Sequence, residues 1–142
     1  LGVSAGQQVG YGYGPASGGA FYFHALLWTG SAASVVDLHP DGFTTSQALG
    51  VSAGQQVGWG SVPANGVHHA LLWTGRAGSV VDLHAFLPPG FLGSEALGVD
   101  ESGGITGSAW GGDGLNHAIL WLRQAEEGEH EGTPPEGELS QD

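Results

Sequence analysis

The chain has 142 residues, with 28 Gly, no Cys and no Met, and its two basic residues face 14 acidic ones, for a formal net charge of -12. So few cations exclude a protein that tracks a phosphate backbone or docks by charge on an anionic membrane. The lack of Cys removes disulfides, thiolate metal ligands and Cys nucleophiles.

In chain order, Leu1-Gly-Val-Ser-Ala-Gly-Gln-Gln-Val-Gly10 opens the sequence and returns unchanged as Leu49 to Gly58. A looser copy, Leu-Gly-Val-Asp-Glu-Ser-Gly-Gly-Ile, starts at Leu97, so Leu1, Leu49 and Leu97 mark a period of 48 residues. A second landmark is His24-Ala-Leu-Leu-Trp28, His69-Ala-Leu-Leu-Trp73 and His117-Ala-Ile-Leu-Trp121. A third, Ser34-Val-Val-Asp-Leu-His39, recurs as Ser79-Val-Val-Asp-Leu-His84. Length differences between copies fall in Gly-, Pro- and Ser-rich stretches, where loops absorb them.

The second copy gives the clearest reading of the elements. Ala48–Ser52, Gln55–Gly60, His68–Thr74 and Ser79–His84 are short apolar or alternating runs separated by turn residues, hence four strands. The period is two rather than 3.6, so the fold class is all-β. Four strands in such a period fit the blade of a β-propeller, about 40–50 residues long; a β-solenoid or another β array is the alternative. The organisation expected is repeat 1 over 1–47, repeat 2 over 48–95, a partial repeat 3 over 96–123, and a tail over 124–142. Propellers typically hold about 4–8 blades, so three blades should form an open or partial propeller whose unpaired edges invite self-association. With no Met, Leu1 is read as an internal position, and the chain as a processed piece or fragment whose signal or anchor segments would lie outside it.

The tail collects Glu126, Glu127, Glu129, Glu131, Glu136, Glu138 and Asp142 around Pro134-Pro135. Its apolar anchors are too few to offset ordering entropy, so it is expected to be disordered, as a spacer or an acidic interaction tail. No apolar run reaches the roughly 20 residues of a membrane span.

The signature Ala-Leu-Gly-Val, Gly-Gln-Gln-Val-Gly, His-Ala-Leu-Leu-Trp and Val-Asp-Leu resembles the bacterial His-Ala-Phe (HAF) repeat family, over roughly 1–123. That resemblance implies a secreted or surface protein built of repeated β units, with no established catalytic activity and no site residues to carry over. The chain departs from the family at Leu26, Leu71 and Ile119, which stand for Phe, and at His39 and His84, which stand for Gly.

No nucleophile elbow, zinc-protease helix or phosphate loop is present, and Asp100-Glu-Ser-Gly-Gly104 is an incomplete calcium ladder that reads as a turn. His24, His69 and His117 recur at equivalent positions, which would not converge on one ion, so they are read as structural imidazoles bonded to backbone or to Asp37 and Asp82. Trp28, Trp73 and Trp121 are read as core, and no metal or cofactor is expected. Function, if local, should sit where the repeats differ, in the loops between second and third strands. These offer Tyr13, Tyr22, Asn65, Trp110, Asp113 and Asn116 as ligand-binding candidates. Three functions compete: a non-enzymatic module presenting rim loops to a protein or surface, a lectin-like propeller with a glycan pocket, and a fragment of a propeller hydrolase. The last would need carboxylates or His clustered on one channel.

Overall fold

A computed structural model describes residues 1–12, 22–123 and 136–140. The described residues form three four-stranded antiparallel sheets, each an up-and-down meander in chain order. The first sheet is β1 (Gly2–Ser4), β2 (Gln7–Gly12), β3 (His24–Trp28) and β4 (Val36–Asp37). The second is β5 (Ser46–Ser52), β6 (Gln55–Ser61), β7 (His68–Trp73) and β8 (Val81–Asp82). The third is β9 (Phe91–Val99), β10 (Ile105–Gly111), β11 (Asn116–Leu122) and β12 (Glu136–Ser140). The sheets do not close on one another. Among the described residues no helix is long and apolar enough to cross a membrane.

The local sequence explains the meander. Ala5-Gly6 and Ala53-Gly54 take positive φ (46° and 85°, 51° and 78°), the two-residue hairpin geometry whose twist matches the flanking strands. The identical decapeptides thus fold identically. The third copy has one residue more at this turn. There the Asp100 carboxylate accepts hydrogen bonds from the amides of Ser102 and Gly104 and from the Ser102 hydroxyl. These bonds hold its pKa below the ordinary carboxylate value, the Ser102 hydroxyl contributing most. The extra residue shifts the register. Ile105 pairs with Trp121 just as Gln8 pairs with Trp28 and Gln56 with Trp73, so Thr106, not Ile105, stands where Val57 stands.

The glutamines at that position have work that Ile105 cannot do. Gln8 Oε1 accepts the Gly30 amide at 3.1 Å and Gln56 Oε1 the Gly75 amide at 2.8 Å, fastening the turn after the third strand. Within those turns the Ser34 and Ser79 hydroxyls accept the Thr29 and Thr74 amides and donate to the Ser31 and Arg76 carbonyls.

Several expectations change. The first strands of the second and third sheets begin at Ser46 and Phe91, before the repeated Leu49 and Leu97. A bulge beside Ala48 and another at Thr106/Gly107 let the longer strands bend. The run Ser79–His84 is not one strand. It is a single-turn 3-10 helix (Ala77–Ser79), two residues of strand, and a second 3-10 helix (Leu83–Phe86). The Asp82 side chain caps that helix by accepting the His84 amide, which stops the strand. The tail is corrected too. Glu136–Ser140 pairs antiparallel with β11, Leu122 opposite Glu136 and Ala118 opposite Ser140. Main-chain pairing on an open edge needs no apolar side chains, so composition alone did not reveal it. The remainder of the tail lies outside the described residues.

Two cores lie between successive sheets. Val9, Ala25, Leu27 and Leu38 of the first sheet region pack against Ala48, Val51, Leu71 and Trp73 of the second. Val57, Ala70, Leu72 and Leu83 pack against Ala96, Ile105, Ala109, Ile119 and Trp121 of the third. Each sheet therefore buries its neighbour's apolar side. Trp73 and Trp121 are fully buried, with Trp121 Nε1 donating to the Leu83 carbonyl at 3.1 Å. Trp28 is only half-buried, with no sheet behind the first among the described residues.

Where β6 crosses β5, a Cβ on Gly58 would run into the Gln47 carbonyl, and Gly107 meets the Glu95 carbonyl in the same way. Gly58→Ala should therefore lower stability by about 1–3 kcal/mol. Gly78→Ala, whose Cβ would have its nearest neighbour at 3.6 Å, should leave stability nearly unchanged. Parallel urea denaturation of the two variants checks the contrast.

Candidate functional site

Two groups of side chains carry chemistry. One is repeated and closed; the other occurs once and faces outward.

The repeated group grows from β3 and β7. His24 Nδ1 meets Asp37 Oδ2 at 2.8 Å, and His69 Nδ1 meets Asp82 Oδ2 at 2.9 Å. The other oxygen of each aspartate accepts a main-chain amide two residues on, that of His39 (2.9 Å) or His84 (3.0 Å). This brings a second imidazole over the first. His39 stacks on His24 with centroids 4.1 Å apart, and His84 on His69 at 4.2 Å. The upper ring then reaches the next sheet, His39 Nδ1 lying 2.8 Å from Ser46 Oγ and His84 Nδ1 2.8 Å from Ser94 Oγ. The Ser46 hydroxyl also accepts the Ala25 amide, and that of Ser94 the Ala70 amide, each at 3.0 Å.

The proton positions follow from the partners. His39 Nε2 lies 2.9 Å from the Phe43 carbonyl, which can only accept, so Nε2 carries the hydrogen. Burial, then the neighbouring His24, push the His39 pKa below 6.5; burial and His69 do the same at His84. The rings are neutral at pH 7, Nδ1 is an acceptor, and the Ser46 hydroxyl donates to it. Ser, His and Asp thus occur together twice, but not as a hydrolytic triad. The serines are fully buried, the carboxylate holds the other imidazole, and the ring's far nitrogen is spent on a carbonyl.

The third repeat lacks the Val-Asp-Leu-His segment, and its histidine finds another partner. His117 Nε2 bonds Asp113 Oδ2 at 3.0 Å, and Asp113 Oδ1 accepts the Leu115 amide. The Leu115 amide, then His117, lower the Asp113 pKa. With no second imidazole above it, His117 sits edge-on to Phe91 at 5.5 Å, and both line a shallow cleft of about 330 Å³ with Pro88, Pro89 and Asp113.

The outward group lies between the second and third sheets. His68, one residue before the structural His69, points the opposite way from it, as strand alternation requires. Its ring stacks on Trp59 at 3.6 Å and 8°, and Nδ1 meets Glu95 Oε2 at 2.6 Å. Trp110 approaches His68 edge-on at 6.3 Å and lies flat over Gly93, where a Cβ would strike the indole. His68, Glu95 and Trp110 are partly exposed. The equivalent ring pair in the first sheet is Tyr11 and Phe23, edge-to-face at 5.0 Å; in the third, Ser108 and Asn116 hold those positions.

Of the sequence candidates, Trp110 belongs to this cluster. Asn116 and Tyr22 are exposed near the same rim, and Asn65 is exposed but caps its own turn by accepting the Val67 amide. Asp113 lies in the adjacent cleft, and Tyr13 lies outside the described residues. Trp59, His68 and Glu95 were missed as a group. The signal lay in the residue before each repeated His (Phe23, His68, Asn116), which changes chemistry while its neighbour does not. Among the described residues, no three of His, Asp and Glu are placed to hold a metal ion. No protein-family model, curated protein or solved structure matches the chain.

Two outcomes follow from the buried network. Ser46→Ala and Ser94→Ala strip a partner from both a buried amide and a buried ring nitrogen, so each should cost about 1–3 kcal/mol by chemical denaturation. Because the folded state depresses the pKa of His39 and His84, the unfolded chain binds protons first on acidification. Full stability should therefore hold above pH 6.5 and fall as pH drops through the unfolded-state value of 6.5. Urea midpoints measured across that range should show the fall, and the double substitution His39→Gln/His84→Gln should flatten it.

Proposed function

We propose that this chain is a non-enzymatic binding module of the bacterial, extracellular HAF-repeat kind. Its sheets act as blades of an open propeller, and its rim between the second and third sheets holds the recognition site. The observation that carries this is the contrast between the two polar groups. The repeated His–Asp–His–Ser sets spend their hydrogen bonds internally, which supports a scaffold and leaves no exposed nucleophile. The Trp59–His68–Glu95–Trp110 cluster uses the positions where the repeats differ and keeps part of its surface open. Rim positions on a rigid β frame are where binding residues concentrate. Rigid aromatics flanked by one or two polar groups are the composition of interaction hot spots.

The partner is a protein or a glycan-bearing surface. The glycan reading has a specific support: an indole beside a carboxylate offers an apolar face for a sugar ring and an acceptor for its hydroxyls. Nucleic acid is disfavoured by the shortage of cations.

A glycan array followed by titration of the strongest hit, read by intrinsic Trp fluorescence, tests the site. Trp110→Ala should weaken binding at least about tenfold, the loss of one anchoring aromatic, with an unchanged far-ultraviolet circular dichroism spectrum. Unaltered affinity in Trp110→Ala would remove this cluster from the binding surface. Silence across the array would leave the protein-partner reading, tested by the same variant against captured surface proteins.

A further inference from the structure

The third repeat departs from the other two beside its repeated histidine, and a cleft lies there. In the first two repeats the ring of His39 or His84 stacks on that histidine, with centroids 4.1 or 4.2 Å apart. Among the described residues no imidazole stacks on His117. Its ring is also turned: Nε2 rather than Nδ1 meets a carboxylate, and the carboxylate comes from the turn before β11 rather than from a fourth strand. The cleft, of about 330 Å³, is walled by Pro88, Pro89 and Phe91. Phe91 stands edge-on to His117 at 5.5 Å. Gly111 lets its strand approach Gly90, where a Cβ would lie 2.6 Å from the carbonyl oxygen. The prolines fix their own φ, so the apolar wall is held in place before anything binds.

The polar side chains that line the cleft are Asp113 and His117. The Leu115 amide, then His117, hold the Asp113 carboxyl below its ordinary range, so it is charged at pH 7. Each of its oxygens accepts one hydrogen bond and keeps a second lone pair, and the side chain is half-exposed. The chain has two basic residues, Arg76 and Arg123. Arg123 follows the last residue of β11, whereas Asp113 precedes the first. The seven residues of that strand span roughly 20 Å, more than twice the screening length of about 8 Å at physiological salt. Arg76 follows β7, at the same end of the neighbouring sheet. Asp37, Asp41 and Asp82 lie toward the Asp113 end of their sheets. Positive charge for this carboxylate therefore comes from outside the chain's Lys and Arg, and the field around it is negative.

We propose that this cleft binds a small aromatic amine, its ring against Phe91 and the two prolines and its ammonium on the Asp113 carboxylate. The volume stands at the lower end of ligand sites, about 300–1,000 Å³, and admits one ring on a short chain. An ammonium gains a charge-assisted hydrogen bond from the carboxylate and lies close to an aromatic face. A carboxylate ligand of the same shape meets the negative field, and an alcohol lacks the charge. The cleft shares no residue with the Trp59–His68–Glu95–Trp110 cluster, so the assignment stands apart from what that cluster recognises.

The test is titration of the nitrogen-15-labelled chain at pH 7, read by amide chemical shifts, with four probes: phenethylammonium, 2-phenylethanol, phenylacetate and methylammonium. Phenethylammonium should give saturable shifts at Phe91, Gly112, Leu115 and His117 in the millimolar range. The alcohol, which lacks the charge, and methylammonium, which lacks the ring, should each bind at least about tenfold more weakly, the loss of one charged hydrogen bond or one apolar contact. Phenylacetate should leave these signals unmoved. Asp113→Asn keeps an acceptor oxygen for His117 and should weaken phenethylammonium about tenfold, with the signals of β5 to β7 unchanged. The probe series on the unaltered chain decides the matter even where that variant folds poorly. No saturable shift, shifts confined to residues 124–142, equal affinity for phenethylammonium and phenylacetate, or undiminished affinity in a folded Asp113→Asn would each overturn the proposal.

Discussion

The hydroxyl of Ser46 sits fully buried between a main-chain amide of one sheet and an imidazole that the same sheet holds over its edge. Ser94 does the same one repeat later. A four-stranded meander of this size is marginal by itself, so the architecture depends on how each is fixed to the next. Apolar packing supplies the bulk of the attraction but little direction. The serine relay supplies direction: it forms only if β5 lies alongside Phe23–Ala25, because donor and acceptor roles are all assigned and all used. A buried network of this kind specifies one arrangement when complete and is costly when broken. Burial and the lower imidazole keep the upper ring neutral, and the aspartate, by accepting the amide of His39 or His84, sets the main chain that aims the ring at that hydroxyl.

This constraint also separates frame from function. Positions inside the relay are occupied by the same residue types in both complete copies: His24 and His69, Asp37 and Asp82, His39 and His84, Ser46 and Ser94. The rim positions beside them vary. Phe23 becomes His68 and then Asn116, Tyr11 becomes Trp59 and then Ser108, and Gln47 becomes Glu95. One frame thus carries three different surfaces at the rim, and among the described residues only the middle one assembles two indoles, an imidazole and a carboxylate. The third repeat, without its Val-Asp-Leu-His segment, pairs His117 with Asp113 beside a cleft where the others have a second ring.

Much of this was legible in the sequence because a repeat states each local rule more than once. The four runs per period announced four strands. The need of buried imidazoles for partners pointed to the backbone or to Asp37 and Asp82, and the structure pairs His24 with Asp37 and His69 with Asp82. What could not be read depends on contacts between periods. Glu95 lies 27 residues after His68 and meets it only because the third sheet stacks on the second. The single extra residue after Asp100 moved Ile105 into the place of Gln56, a shift invisible to alignment by period. Glu136–Ser140 looked like solvated tail because its pairing with β11 uses main-chain groups, about which composition is silent.

The central claim is that neutral His39 and His84, protonated at Nε2, accept a hydrogen bond from a buried serine and so lock neighbouring sheets together. Long-range nitrogen–proton correlation NMR of the histidine rings at pH 7 reads this directly. The account predicts protonated Nε2 and bare, hydrogen-bonded Nδ1 signals for both residues. Rings that are doubly protonated at that pH, or that carry their hydrogen on Nδ1, would contradict it.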